Sequence, residues 1–244
     1  ARFDATDGLP NNRVASLFAD REGSLWVGTN AGLMRFADTP FVTIDSHQGL
    51  ADDYVRALLQ TRSGDVLIGS SRGMDSWRDE KITPTSGLEN ESVLSLAEDR
   101  AGNIWIGTYS TGLVRWADGA IQERFTSADV LPSNQVRAVL EGRDGTLWVG
   151  TARGLMRRKD GVSVGLGERD GLPRDFVLSL HEAADGSVWV GTSNGAGHVQ
   201  GDRITALDLG ELDGAQDVFG MHEDADGTMW FATDRGLVRL RDGA

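Results

Sequence analysis

Two arginines stand where the rest of this chain places apolar residues. Arg56 and Arg137 each follow a valine that opens a short apolar run, and the matching positions elsewhere hold Ala15, Leu94, Leu178 and Phe219. A guanidinium presents its N–H donors as a rigid fork that fits the paired oxygens of a carboxylate or a sulfate. These arginines are therefore either a clamp for an anionic ligand or partners of nearby acids such as Asp52 and Asp53.

Histidine is the second residue type with suitable chemistry, because neutral imidazole binds metals and titrates near neutral pH. His181 and His222 fall at equivalent positions of a repeat, and His198 lies between them in the chain. The equivalent position is apolar elsewhere, as Phe18, Leu59, Ala97 and Leu140. We expect packing histidines here, and a convergent pair is the alternative.

Motifs of catalysis and metal binding are otherwise missing from the sequence. Residues 224–227 resemble the start of a calcium loop, but they lack the third acid at the right spacing and the closing glutamate. We find no nucleophile elbow, no helical pair of metal-binding histidines and no phosphate-cradling loop. We therefore expect no catalytic residues, no metal site and no cofactor.

A phrase of the type Leu-Trp-Val-Gly-Thr recurs six times and sets where these side chains must lie. Its tryptophan position steps through Trp26, Leu67, Trp105, Trp148, Trp189 and Trp230. Within the first repeat, the runs 14–19, 25–29, 33–36 and 41–44 have the composition of strands and are separated by turn residues. A period of roughly forty residues with four short strands is typical of a propeller blade. The sequence thus predicts an all-β fold of four-stranded antiparallel blades.

The two ends of the chain predict how the blades close. Residues 2–5 resemble a fourth strand such as residues 123–126, and residues 236–240 resemble a third strand. We expect a β-propeller of six blades in which the N-terminal strand completes the last blade, which leaves no open edge there. The predicted domain is a single propeller over residues 1–244. The alternative is an incomplete seven-bladed propeller.

The first strand of each repeat predicts how the blades pack. It opens on valine, and the residue two positions later is small, as in Ser16, Ala57 and Ser179. Both positions lie on one face of a strand. We infer that the small residue makes room for a tryptophan of a neighbouring blade, so that the tryptophans form core and not a ligand platform.

Chain direction sorts the loops into two sides. Because antiparallel strands alternate, the first and third turns of a repeat share one side, and the second turn shares the other with the connection to the next repeat. The first side is uniform, whereas the second varies between repeats, which favours it as the binding side. Its candidate ligand-binding residues, with the two arginines, are Arg56, Arg137, Tyr54, Tyr109, Asn134, Gln135, Arg153, Arg174, Asn194 and Arg235. The alternative for any one of them is an ordinary solvated turn.

Composition excludes several classes of partner. The chain has 244 residues, a net charge of −13 and no cysteine. Such a charge repels nucleic acid and anionic lipid, so we expect neither as a partner. No apolar run approaches the length of a membrane span, and no signal peptide is recognisable, so we expect no direct membrane insertion. The chain opens directly on repeat material, which suggests that it is a processed or trimmed piece.

The repeat resembles that of the two-component regulator propeller family. Residues 8–14 and 171–173 have the opening of that repeat, residues 98–108 its middle and residues 112–115 its end. The resemblance implies a sensor outside the cytoplasm, in the periplasm of a bacterium, ahead of an output signalling domain, and several such sensors recognise carbohydrate. Family members commonly have seven blades per ring and a membrane helix, and this chain departs from both features.

Two classes of function follow as hypotheses. The first is a non-catalytic sensory module that binds a small molecule, carbohydrate included, or a protein partner on the side of the connections. The second is a propeller enzyme, such as a lyase or a glycosidase, with its site at the channel mouth, which rests on analogy of fold. A protein-interaction scaffold is a further alternative. We expect that the chain is not an enzyme by itself.

Overall fold

The protein forms sheets with almost no helix. The computed structural model describes residues 9–21, 24–36, 42–207 and 216–241. Among these residues, two short 3-10 turns, Ser46–Gln48 and Glu168–Asp170, lie in connections between sheets. Within the described residues, no helix has the length and apolar character needed to cross a membrane.

Each repeat forms one antiparallel sheet, or blade, whose strands pair in chain order. The first three blades contain β1 Val14–Ala19, β2 Leu25–Thr29, β3 Gly32–Phe36 and β4 Val42–Ile44; β5 Val55–Gln60, β6 Val66–Ser70, β7 Met74–Arg78 and β8 Lys81–Pro84; β9 Val93–Glu98, β10 Ile104–Thr108, β11 Leu113–Ala117 and β12 Ala120–Phe125. The last three contain β13 Val136–Glu141, β14 Leu147–Thr151, β15 Gly154–Lys159 and β16 Val162–Leu166; β17 Val177–Glu182, β18 Val188–Thr192, β19 Gly195–Gln200 and β20 Arg203–Leu207; β21 Val218–Glu223, β22 Met229–Thr233 and β23 Gly236–Leu240.

These six sheets confirm the predicted fold class, a six-bladed β-propeller. Five blades have four strands, and the described part of the sixth has three, β21 to β23. The predicted closing strand at residues 2–5 lies outside the described residues. The chain divides into two compact units, residues 1–124 and 125–244, which contain blades 1–3 and blades 4–6 respectively. The single domain over residues 1–244 stays a prediction.

The repeated Gly-Thr phrase closes the turn between the second and third strands. The hydroxyls of Thr29, Thr151 and Thr192 are buried and donate to the glycine carbonyl three residues later, at 2.8, 2.8 and 2.9 Å. That glycine, such as Gly154, has a positive φ, a conformation that residues with a Cβ rarely adopt. Sequence and turn geometry therefore agree in this part of every repeat.

The tryptophans form core, as predicted. Trp26 is fully buried and packs with Leu33 and Val55, while Trp148 packs with Val177 of the next blade. Burial of such large apolar surfaces is the main favourable term in folding. Trp26, Trp148 and Trp189 therefore each join their own blade to the following one.

The small residue of the first strand has a different neighbour from the one we inferred. Ser179 pairs with Gly191 in its own blade, and the Cγ1 of Val218 from the next blade would lie 2.9 Å from any Cβ added to that glycine. The small residue and the glycine thus make room for a valine of the next blade rather than for a tryptophan.

Candidate functional site

The second turn of a blade lies beside a connection, as chain direction predicted. The amide of Ser71 donates to the Tyr54 carbonyl at 3.1 Å, and the amide of Tyr109 donates to the Ser92 carbonyl at 2.9 Å. The amide of Gly154 does the same with the Asp175 carbonyl. We call this side of each unit the connector side, and the side of the first and third turns the hairpin side.

On the connector side of the first unit, Arg56 stacks on an aromatic ring. Its guanidinium carbon lies 4.3 Å from the centroid of the Tyr54 ring, close enough for a cation–π interaction. The Nε of Arg56 is buried, and no hydrogen-bond acceptor reaches it from the described residues. Tyr109, also in this unit, is 55% exposed. The structure brings Arg56 and Tyr54 together and leaves a donor of the arginine unused.

The second unit has a similar arrangement at Arg137. Its guanidinium lies 5.0 Å from the ring centroid of Phe176, which precedes the first strand of the next blade. Phe176 occupies the position that corresponds to Tyr54. Both arginines therefore stack on an aromatic side chain, and in the first unit Asp52 pairs with Arg72 at 3.6 Å.

Asn134 closes a loop in the connector before blade 4. Its Oδ1 accepts a hydrogen bond from the Ser127 amide at 2.6 Å. Asp53 and Asp175 occupy the same place in other connectors and accept from the amides of Ser46 and Glu168. The side chain of Asn134 is thus engaged in holding its connector, while the neighbouring Gln135 receives the Ala152 amide on its backbone carbonyl.

The remaining candidates lie in second turns and connectors of the second unit. Arg153 lines a depression of about 450 Å³ with the connector residues Glu168 and Asp175, and Arg174 lies 3.5 Å from the same Glu168. Asn194 and Arg235 occupy the matching turns of blades 5 and 6, where each backbone amide donates to a threonine hydroxyl. The structure thus groups Arg153 with Arg174 around Glu168.

His181 and His222 lie close enough to interact electrostatically. His181 is half-buried, and burial lowers its pKa, with an opposing effect from Glu223. His198 lies against the Trp189 ring instead, stacked at a centroid distance of 4.0 Å. Within the described part of the chain, no three histidine, aspartate or glutamate side chains are placed to hold a metal ion.

Sequence reasoning missed the cavities on the hairpin side. Blades 4 and 5 enclose one of about 400 Å³ beside Trp148, and blades 5 and 6 enclose one of about 670 Å³ beside Trp189. The signal in the sequence was a change of charge between repeats: Arg157 and Lys159 in the fourth repeat become His198 and Gln200 in the fifth. Because the turns on this side have similar sequences, the sequence analysis did not consider this side for ligand binding.

An ion pair at the first of these cavities sets a pH dependence. Lys159 Nζ lies 2.6 Å from Asp144 Oδ2 and lowers the pKa of that carboxyl to about 2. A carboxyl whose pKa is lower in the folded state stabilises the fold above its unfolded pKa, and this contribution is lost as the pH falls towards 2. The pair is exposed enough for solvent and salt to weaken it.

We expect Lys159→Gln to raise the pKa of Asp144 towards its ordinary range. The measurement is a pH titration of the Asp144 carboxyl carbon by NMR. Lys81→Gln is the matched control, because Lys81 is exposed and lies on another blade; it should leave the Asp144 titration unchanged. An unchanged Asp144 pKa in Lys159→Gln would show that other contacts cause the shift.

The repeats match a described family. The model of the two component regulator propeller matches residues 8–31, 87–110, 130–153, 171–194 and 213–235. These matches cover the turn, first strand and tryptophan phrase of five blades. No sequence among curated proteins matches the chain at a significant level.

Solved structures share the fold. The extracellular domain of a hybrid two component system from B. thetaiotaomicron has a TM-score of 0.84 at 22% identity, over 99% of this chain and 35% of that one. Virginiamycin B lyase from Staphylococcus aureus has a TM-score of 0.77 at 16% identity, over 95% of this chain and 81% of that one. An ancestral GH74 enzyme has a TM-score of 0.76 at 13% identity, over 93% of this chain and 36% of that one.

This likeness establishes the fold alone, because all three identities are low and propellers support unrelated activities. This chain spans about a third of the length of the first of these proteins. The matches to the family model are stronger evidence of relationship than the structural likeness, since they recur at the same place in five blades. The chain is a propeller built from repeats of the two component regulator propeller family.

Proposed function

We propose that this propeller is a sensory module that binds a small acidic molecule on its connector side and performs no turnover. The observation that carries the proposal is Arg56, which stacks on Tyr54 and whose buried Nε meets no acceptor in the part of the chain that the structure describes. A buried donor without a partner is costly, and an oxygen of a bound ligand would satisfy it. Carboxylates and sulfates, including those of acidic sugars, offer such oxygens in the paired geometry that a guanidinium fits.

The second unit supplies a comparable surface. Arg137 stacks on Phe176, and Arg153 and Arg174 lie around Glu168. Aromatic stacking holds a guanidinium in one orientation. Polar contacts from these arginines would give the module its selectivity among small acids.

The family supports a role in signal transduction. Its description is that of a two component regulator, and the similar structure from B. thetaiotaomicron is an extracellular domain. We propose by extension that this chain works outside the cytoplasm, in the periplasm, and that its parent protein contains an output signalling domain. Ligand binding on the propeller would then be read by that domain.

A thermal-shift titration tests the proposal. Glucuronate, galacturonate and sulfate are the probes, and glucose is the neutral control. A ligand at a hundred times its dissociation constant adds roughly 2.7 kcal/mol to the free energy of unfolding, which raises the melting temperature measurably. We expect an acidic probe to raise it and Arg56→Gln to abolish that rise.

The matched control is Arg78→Gln. It removes a guanidinium from the same blade, but Arg78 pairs with Asp65 on the hairpin side. It should leave the ligand-induced rise intact. An equal loss in both variants would point to overall charge and contradict a connector-side site. Steady conversion of a bound probe would favour the enzyme alternative.

A further inference from the structure

The cavity between blades 5 and 6 lies on the hairpin side, away from the connector residues of the proposed function. It has a volume of about 670 Å³. Leu207, Met229 and Leu240 give it an apolar wall, and Asp185 and Glu223 give it carboxylates. A small molecule with both apolar and charged parts fits a cavity of this size.

Blade 5 lacks two cations that its neighbours have. In blade 4 the third strand carries Arg157 and Lys159, and in blade 6 Arg239 lies in the third strand and Arg241 directly after it. The first of each pair lies over the blade's tryptophan, at 6.0 and 5.8 Å from the ring centroid. The second pairs with a carboxylate of the first turn, Asp144 at 2.6 Å and Asp226 at 3.4 Å. In blade 5 these positions are His198 and Gln200.

The carboxylate of the turn is nevertheless retained as Asp185. It accepts hydrogen bonds from the amide and the hydroxyl of Ser187, and these lower its pKa, so it is ionised at neutral pH. His198 does not replace the lost charge, because burial lowers its pKa. Its Nε2 lies 2.7 Å from the Ser187 oxygen and is the donor, since that hydroxyl donates to Asp185.

Glu223 is the second carboxylate without a cation. Its Oε2 accepts from the Ala184 amide at 2.5 Å. Among the described residues, no lysine or arginine lies within ion-pair distance of Asp185 or Glu223. The lining thus has three carboxylates, of which Asp226 is paired with Arg241, and one cation of its own at the exposed Arg203. Arg143 from blade 4 pairs with Glu182, donates to the Ala184 carbonyl and, after the Ser187 hydrogen bonds, contributes to lowering the pKa of Asp185. The net charge of the lining is negative.

The cavity also contains the indole N–H of Trp189, a donor for which the described residues show no acceptor. In blades 1, 3 and 6 the indole N–H of the tryptophan donates to an aspartate six residues earlier, at 2.8, 3.0 and 3.1 Å. Blade 5 has Ala183 at that place, and Ala183 lines the cavity. Trp189 is only 7% exposed, and no acceptor among the described residues reaches its N–H. The N–H of Trp189 is therefore available to donate to a ligand oxygen in the cavity.

We propose that this cavity binds a small organic cation, an amine or guanidinium compound whose body also carries an oxygen acceptor. The cation takes the place of the side-chain charges that blades 4 and 6 supply themselves. It pairs with Asp185 and Glu223, the oxygen accepts from Trp189, and the methylene chain lies on the apolar wall. Arg203 at the rim adds a second donor for that oxygen if it belongs to a carboxylate.

Isothermal titration calorimetry with three related probes tests the chemistry. L-arginine has both groups, agmatine has the guanidinium without the carboxylate, and norvaline lacks the guanidinium. We expect arginine to bind, agmatine to bind more weakly and norvaline to give no heat. The absence of arginine binding, or equal binding of norvaline, would overturn the proposal.

The variant Gln200→Lys introduces the lysine that blade 4 has at this position. We expect the new lysine to pair with Asp185, as Lys159 pairs with Asp144, and so to compete with the ligand. We expect arginine affinity to fall by about tenfold or more, the range for loss of a charge-assisted contact. Ala117→Lys is the matched control, because Ala117 holds the same strand position in blade 3 and the added charge is equal. The control should bind as the wild type does. Wild-type affinity in Gln200→Lys, or an equal loss in the control, contradicts the site.

A second variant tests the indole. Ala183→Asp restores the internal acceptor of blades 1, 3 and 6, so the ligand oxygen no longer gains from Trp189. We expect the preference for arginine over agmatine to shrink while a guanidinium still binds. An unchanged preference would show that the ligand oxygen does not contact this indole, and would overturn that part of the proposal.

Discussion

Replacing Gly191 by alanine should lower the free energy of unfolding by about 3 kcal/mol or more, near the upper end for overpacking of a tight core. A Cβ at this position would lie 2.7 Å from the Val218 carbonyl oxygen and would also meet the Ser179 hydroxyl. That hydroxyl donates to the same carbonyl at 2.8 Å, so the methyl would displace a buried hydrogen bond between blades 5 and 6. Backbone has to move, since the obstructing atom is not the end of a flexible side chain.

Equilibrium unfolding in urea measures this effect. Gly165→Ala is the matched control, because Gly165 lies in β16 with no heavy atom within 4 Å of an added Cβ. It should change the free energy of unfolding by less than about 0.5 kcal/mol, as surface substitutions usually do. An unfolding midpoint for Gly191→Ala equal to that of the wild type would mean that these blades do not pack through this glycine.

Asp99→Ala should lower the free energy of unfolding by about 3 kcal/mol, because it removes the acceptor of the buried indole N–H of Trp105 and of two partly buried amides of the turn. The carboxylate of Asp99 is buried and accepts from the amides of Ala101 and Asn103 at 2.9 and 2.8 Å. It also accepts from the indole N–H of Trp105 at 3.0 Å. One side chain thus holds the first turn of blade 3 and orients its core tryptophan.

Blades 4 and 5 suggest how this loss can be partly repaired. They lack the aspartate, and the next acid along, Asp144 or Asp185, accepts the amide of the turn instead. We therefore expect Asp99→Ala combined with Ala101→Asp to recover part of the stability, since it restores an acceptor for the Asn103 amide but none for the indole. Urea unfolding of the single and double variants measures the recovery. A double variant no more stable than Asp99→Ala would show that the tryptophan contact dominates.

The fold was largely readable from the chain because its signals are local. Strand alternation, the glycine of the second turn and the Gly-Thr phrase lie within a few residues of one another, and they recur six times. Six blades, the buried tryptophans and the two sides of the loops followed from them. The neighbour of the small residue did not, because Ser179 meets Val218, which is 39 residues later in the chain.

The candidate sites depended more on tertiary structure. The sequence singled out Arg56 and Arg137 because the equivalent position of the other repeats is apolar. Their stacking on Tyr54 and Phe176 could be seen only once the connectors were placed. It offered Asn134 as a ligand contact, whereas its oxygen holds the Ser127 amide. Asp53 and Asp175 recur at the equivalent position, but only the folded connector shows that each accepts from an amide seven residues earlier.

By itself, then, the sequence determined the β-propeller, its blade boundaries, its family and the charge that each repeat places at each position. The tertiary structure decided which of those charges meet. Asp185 faces Gln200 where Asp144 faces Lys159, and only the packing of blade 6 against blade 5 adds Glu223 and closes the cavity. Repeats encode the scaffold through local periodicity, whereas a binding site arises from contacts between blades, whose residues are separated by the full length of a repeat.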